Sequence, residues 1–145
     1  MEKFEVLTDA EHVKKRHSMY LGQKEPSDTE IFLNGEFTTK HFSPGLIKII
    51  SEIIDNTIDE NVRTNGEYAN KVDIKIENNV ITVSDNGRGI PTKKVNTPKG
   101  EMYQMVCAFC LAKSGSNFDD SARKSIGMNG IGSFITQVCS KYFHA

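Results

Sequence analysis

What this chain lacks narrows its function before anything it contains does. No G-x-x-x-x-G-K-[ST] loop occurs in its 145 residues, so nucleotide phosphates, if bound, must be held by another arrangement. Its apolar runs are far short of the ~20 residues that a membrane span needs. No apolar h-region follows the opening Met1-Glu2-Lys3-Phe4-Glu5, so no secretory signal is expected. There is no excess of positive charge: 18 Lys and Arg face 19 Asp and Glu, for a net charge of -1. Direct nucleic-acid binding by this segment is therefore disfavoured. Cysteine is scarce. Cys107 and Cys110 form a C-x-x-C inside the apolar run Met105 to Leu111, and no second pair completes a zinc site. They read as small buried hydrophobes in a reducing compartment, and the odd total of three points to the cytoplasm. His12, His17, His41 and His144 are scattered and have no neighbours at metal-ligand spacing. Internal repeats and low-complexity segments are absent too.

What remains is a chain of single-domain size, 37% hydrophobic and 26% charged, as in a globular protein with a real core. Thr8 or Asp9 can cap a short helix to His17, and His17 to Gly22 reads as a turn. Asn34-Gly35, between Ile31-Phe32-Leu33 and Phe37-Thr38-Thr39, signals a hairpin. A helix should start at Pro44 and run to about Arg63, with Leu46, Ile47, Ile50, Ile53, Ile54 and Ile58 near a 3.6 period and Gly66 as its stop. Val72, Ile74 and Ile76 alternate with charged residues and predict a half-buried strand. Asn78-Asn79 turns it into a second strand, Val80 to Val83. The stretch from Pro91 to Gly100 reads as loop, Met102 to Lys113 as helix, and Ser114 to Ser125 as a mobile surface loop. Ile131, Phe134, Ile135 and Val138 give a last helix. The pattern alone supports an α+β fold.

Three motifs carry chemistry. Glu52, Asn56, Asp59 and Arg63 follow i, i+4, i+7, i+11 spacing and form one polar stripe, roughly opposite the isoleucines. A solvated face would explain any one of them. But Asp55 and Asn56 are poor helix formers placed mid-helix, and the carboxylates of Glu52, Asp55, Asp59 and Glu60 repel one another unless a cation or donors compensate. Asp85-Asn86-Gly87-Arg88-Gly89-Ile90-Pro91 begins where a strand ends. A tight turn accounts for Asp, Asn and one Gly. The second Gly lets backbone approach a flat ligand, and the carboxylate can accept from an exocyclic amine. Gly127, Gly130 and Gly132 precede and open a helix, whose free N–H groups and dipole favour phosphate. In this order they are the parts of a nucleotide triphosphate site.

The set resembles the GHKL ATPase family: gyrase, Hsp90, histidine kinase and MutL. Within it, Glu52-x-x-Asp55-Asn56-x-x-Asp59-Glu60, Asp85 to Pro91 and Asn117-Phe118-Asp119-Asp120 resemble type IIA DNA topoisomerases. Ser116 to Asp120 with Gly127 to Gly132 is similar above all to the large subunit of T4-like bacteriophage topoisomerases. His17 to Gly22 resembles that family's R-x-x-M-Y-I-G segment. The resemblance implies a Bergerat fold, a two-layer α+β sandwich with helices on one face of a mixed, mainly antiparallel sheet. It implies ATP and Mg²⁺ as ligands. Glu52 would be the general base, and Asn56 the Mg²⁺ ligand. Asp85 would accept from the adenine amino group, with a water near Gly89. Arg88 would cover the adenine and pair with Glu60. Ile54, Ile90 and Pro91 would wall the base. Ser116 and Asn117 would reach ribose and phosphates. Gly127, Asn129, Gly130, Ile131 and Gly132 would form the phosphate loop, with Lys124 nearby.

Two departures from the family stand out. Ile126 occupies a position where gyrase-like members often carry glycine. The chain also stops at Ala145, just after the phosphate-loop helix, where the family's ATPase domain continues with further strands and a transducer domain that brings a lysine to the γ-phosphate. Residues 1–145 are thus expected to be an incomplete N-terminal ATPase domain, with negligible turnover alone. Its partners would be other topoisomerase subunits or domains, dimeric in the complete enzyme, with DNA met only through that enzyme and no membrane. It would work in the cytoplasm, the host's if phage-encoded. The alternative is a non-catalytic relative that binds nucleotide or a partner subunit as a decoy or complement.

Overall fold

The structure, a computed structural model, describes residues 4–115 and 130–145. Its elements follow the order α1 (Asp9–Lys15), α2 (His17–Leu21), β1 (Ser27–Leu33), β2 (Glu36–Phe42), α3 (Pro44–Arg63), β3 (Val72–Glu77), β4 (Val80–Asp85), β5 (Lys94–Thr97), β6 (Gly100–Tyr103), α4 (Gln104–Cys110) and α5 (Gly132–Cys139). The chain divides into two compact units, residues 1–50 and 51–145.

In the first unit, Thr8 is the cap of α1. Its hydroxyl accepts from the Glu11 N–H while the Glu11 carboxylate accepts from the Thr8 N–H, a reciprocal capping box. The turn expected at residues 17–22 is a helix, α2. The Gly22 N–H reaches back to the Ser18 carbonyl, and Gly22 ends the helix at φ 75°. Val13 and Leu21 are the buried side chains of this pair. β1 and β2 pair antiparallel across Asn34-Gly35, where both φ values are positive, 54° and 90°. That is the geometry a two-residue hairpin requires. Ser43 caps α3, its hydroxyl accepting from the Leu46 N–H at 3.2 Å, one residue before Pro44.

In the second unit, α3 ends in a Schellman arrangement. The Asn65 N–H bonds the Val62 carbonyl and the Gly66 N–H bonds the Asn61 carbonyl, with Asn65 at φ 51°. β3 and β4 pair through Asn78-Asn79, again with both φ positive, and β4 runs on to Asp85. β5 and β6 form a third hairpin where a loop was expected. Lys94 pairs with Glu101 at 2.9 Å across it, and Lys94 also lies over the Tyr103 ring. β6 takes Met102 and Tyr103, so α4 is shorter than the predicted helix and ends before an extended Leu111.

Every pairing among the described residues is antiparallel, and the strands bond as three separate two-stranded ladders. The class is α+β. The expected half-burial of β3 is not met. Each of its residues is exposed, and Ile76 keeps 70% of its surface in water. Alternation marks which residues share a strand face, but burial requires something packed on that face. The core of this unit is elsewhere: Phe134, Ile135 and Val138 of α5 are buried with Cys107 of α4, while Phe109 meets Phe143 with ring centroids 5.2 Å apart. Cys107 is buried as expected, but Cys110 and Cys139 are exposed. His12 bonds the Tyr20 hydroxyl, and His41 pairs with Asp28 across the first hairpin. Among the described residues, no helix is long and apolar enough to cross a membrane.

Candidate functional site

The two faces of α3 reverse the usual amphipathic assignment over its second half. Thr57, Asp59 and Glu60 are buried, at 5%, 7% and 8% exposure, whereas Ile53 and Ile58 are 42% and 37% exposed. Asp59 and Glu60 are thereby withdrawn from solvent, whereas Asn56 and Arg63 of the expected stripe stay exposed. The polar side chains are packed against other parts of residues 51–145, and burying them requires partners.

The partners include the two other motifs. The Glu52 carboxylate lies against Gly132 at the start of α5, so closely that a Cβ on Gly132 would collide with its Oε2. One turn on, the Asn56 amide donates to the Ser133 hydroxyl at 3.2 Å. Ile131, the residue before α5, supplies no side-chain cap, and the first N–H groups of a helix are of the kind that receive anions. Gly130 has φ 58°, and a Cβ there would strike the Ser114 backbone. The Ser114 N–H donates to the Gly130 carbonyl at 3.1 Å. Glycine is thus required twice over at this position. Ile131 is half-buried directly before the helix.

Next to Asn56, Thr57 donates its hydroxyl to Asp85 Oδ2 at 3.0 Å. The Gly87 N–H donates to Asp85 Oδ1 at 2.7 Å. Two donors fix the orientation of this carboxylate and leave lone pairs for a further donor. The turn continues with Arg88, whose Nε donates to Glu60 Oε1 at 2.6 Å. Glu60 also pairs with Arg63 through Oε2. The hydrogen bond from Arg88, followed by the contribution of Arg63, overcomes the penalty of burial and holds the Glu60 carboxyl down at about 2. The Arg88 guanidinium lies over the Tyr68 ring, its Cζ 5.1 Å from the centroid. Beyond Arg88 the surface opens: Gly89, at φ 71°, has clear space where a Cβ would be, Ile90 is 42% exposed and Pro91 is exposed.

Glu52, Asn56, Glu60, Asp85, Arg88, Gly130, Ile131 and Gly132 therefore come together along one side of α3. Ser116, Asn117, Lys124, Gly127 and Asn129, with the departure at Ile126, lie outside the described residues. So does the expected surface loop from residue 116 onward. Thr57, Ser133 and Tyr68 belong to the arrangement and were not anticipated. A hydroxyl at Thr57, set between Asn56 and Ile58 in mid-helix, was the available signal. Nothing local distinguishes Tyr68, which sits in a polar loop.

Chemically, the arrangement offers a carboxylate beside an anion-receptive helix end and, farther along α3, an oriented acceptor beside a guanidinium. Residues 42–144 match the Histidine kinase-, DNA gyrase B-, and HSP90-like ATPase family. The chain is 46% identical over 140 residues to the DNA topoisomerase large subunit of enterobacteria phage T4, an alignment covering 95% of this chain and 27% of that protein. It is 34% identical over 149 aligned positions to DNA topoisomerase 2 of Candida albicans, covering 98% of this chain and 10% of that one. Among solved structures, the ATPase region of Saccharomyces cerevisiae topoisomerase II superposes with a TM-score of 0.74 at 27% identity, covering 92% of this chain and 36% of that chain. The chain spans about a quarter or less of the length of the phage and Candida relatives. With the family match over most of its length, the chain belongs to the histidine kinase, DNA gyrase B and HSP90-like ATPase family.

Proposed function

We propose that this chain is the ATP-binding and ATP-hydrolysing module of a type II DNA topoisomerase, part of a longer dimeric enzyme that couples ATP to DNA strand passage. The observation that carries the reading is the packing of Glu52 against Gly132 in the same unit that sets Thr57 on Asp85. It joins a phosphate end and a base end on one helix. The relatives named above support the coupling to DNA strand passage.

In this reading the base amine donates to Asp85, and Arg88 covers the base, held by Glu60. Gly89, Ile90 and Pro91 border it. The first N–H groups of α5, with Gly130, Ile131 and Gly132, receive the phosphates. Ser116, Asn117, Lys124, Gly127 and Asn129 would complete the ribose and phosphate contacts. Glu52 is the general base: it takes a proton from the water whose oxygen bonds the γ-phosphorus as the bond to the β,γ-bridging oxygen breaks and ADP leaves. Asn56 supplies a side-chain oxygen of the type a hard cation takes. Among the described residues no group of three or more His, Cys, Asp or Glu could hold a metal alone, which suits an ion shared with substrate phosphates. Bound Mg²⁺ would neutralise charge on those phosphates. A decoy has no feature of its own in its favour.

Calorimetric titration of the 145-residue chain with a non-hydrolysable ATP analogue and Mg²⁺ tests this. One saturable site, weaker for the guanine analogue and weaker without Mg²⁺, is expected. Absence of binding, or equal affinity for both bases, overturns the reading.

A further inference from the structure

The residues between α3 and β3 are built as a brace. The Thr64 hydroxyl donates to the Glu60 carbonyl at 2.8 Å and accepts from the Tyr68 N–H at 3.1 Å. Asn61 Nδ2 donates to the Tyr68 carbonyl at 3.1 Å. Both backbone polar groups of Tyr68 are thus tied to the last turns of α3. On the other side, Asn86 Nδ2 donates to Asn70 Oδ1 at 2.9 Å and the Lys71 N–H donates to Asn86 Oδ1 at 3.0 Å. Ala69 between them is 4% exposed, and a Cβ built on Gly87 would sit 3.5 Å from its own. Ala69 adopts φ 51°, as do few residues other than glycine and asparagine. The loop is therefore fastened to the helix at one end and to the Asp85–Gly87 turn at the other.

What it presents is the Tyr68 ring, over which the Arg88 guanidinium lies. Glu60 holds that guanidinium through Nε and Tyr68 backs it, while about half of the Arg88 side chain, 51%, stays accessible. An arginine on a turn otherwise loses several rotamers on binding a ligand. Here the loss is taken on folding.

We propose that Tyr68 is a positioning residue for Arg88: through the braced 64–71 loop it holds the guanidinium pre-oriented, with its accessible part left for the nucleotide base. This rests on the ATP-site reading above. A guanidinium plane stacks on any base, so the device sets affinity without selecting the base, which falls to Asp85.

The test is a double-mutant cycle read by calorimetry on the full 145-residue chain. Tyr68→Ala should weaken the adenine and guanine analogues by the same factor, about 3- to 10-fold, the cost of ordering one long side chain on binding. Tyr68→Phe, which keeps the ring, should bind like the parent. In an Arg88→Ala background, Tyr68→Ala should have no further effect, because nothing is left to position. An unchanged affinity in Tyr68→Ala overturns the proposal. So does a loss that persists without Arg88, which marks a merely structural role. A second readout needs no nucleotide. The Arg88 Nε–H resonance should move in Tyr68→Ala and stay in Tyr68→Phe, through the ring current of the stacked tyrosine. If the parent binds no adenine nucleotide while that resonance behaves as expected, the ATP reading fails and the stacking stands. If the resonance ignores Tyr68, the positioning claim fails on its own.

Discussion

The two ends of the site, proposed above to take the base and the phosphates, are built differently, although one helix serves both. At the base end, Asp85, Arg88 and Glu60 are tied by hydrogen bonds from the Thr57 hydroxyl, the Gly87 backbone N–H and Arg63, and Tyr68 lies against Arg88. At the phosphate end, Glu52 closely approaches a glycine that lacks a Cβ, and Asn56 donates a hydrogen bond to Ser133. The first kind of construction fixes direction, as recognition of a flat base requires. The second sets a carboxylate and an amide beside the first turn of α5, as charged phosphates and a catalytic water would require in the proposed reading. The contrast predicts that substitutions at the two ends damage different quantities.

The largest effect should come from Glu52→Gln. In a protein joining this chain to the length its relatives carry, turnover should fall by ~10²–10⁴-fold, the usual contribution of a general base. Affinity for the analogue should stay near the parent's. Steady-state phosphate release and calorimetry separate the two, and full turnover in the variant would move the base elsewhere. Asp85→Asn should do the reverse and weaken binding by roughly 1.5–3 kcal/mol, a charge-assisted hydrogen bond. The lower part of that range suits an exposed turn. It should also reduce the preference for adenine over guanine. Equal affinity in parent and variant would show that this carboxylate only organises its turn with Thr57 and Gly87.

Gly130→Ala probes the backbone that leads into the phosphate end. The new Cβ meets the Ser114 backbone at a positive φ, and relief requires moving main chain. A loss of about 2–3 kcal/mol in unfolding free energy is expected. A urea midpoint matching the parent's would mean that the backbone there rearranges freely.

The parts legible in the sequence were those set by local rules. Asn34-Gly35 and Asn78-Asn79 demanded left-handed turns, Thr8 and Pro44 marked helix starts, and the last helix opened at the glycine motif. Misses came where tertiary context decided. β5 and β6 are short and polar, held by Lys94–Glu101 and by the Thr97 hydroxyl on the Gly100 carbonyl, and carry no apolar alternation to read. The α2 helix needed Gly22 to be recognised as a stop. Of the site motifs, the one on α3 was legible because Asp55 and Asn56 are poor helix formers placed mid-helix. Thr57 and Tyr68 were not, since a hydroxyl and an aromatic ring are ordinary in a helix and a loop until their partners are known.

The smallest effect sharpens the contrast through pH. Glu60 is buried among two guanidiniums, and the hydrogen bond from Arg88 holds its carboxyl at about 2, against 4.5 for an ordinary glutamate. A depressed folded-state value means that the ionised form stabilises the fold. The contribution is complete above about 4.5, the ordinary carboxyl range, and is lost as pH falls toward 2. Both arginine partners are about half exposed, at 48% and 51%, so solvent screens the pair and the effect should be on the order of 1–2 kcal/mol. Glu60→Gln should therefore be less stable than the parent at pH 7, and the gap in urea midpoints should narrow steadily below about pH 4.5. A Glu60→Gln gap that stayed constant from about pH 7 to about pH 3, across the window in which the linkage operates, would show that the carboxyl acts through its shape and neutral hydrogen bonds. The base end would then owe its rigidity to packing rather than to charge, and the difference in construction between the two ends would shrink to the hydrogen bonds on Asp85.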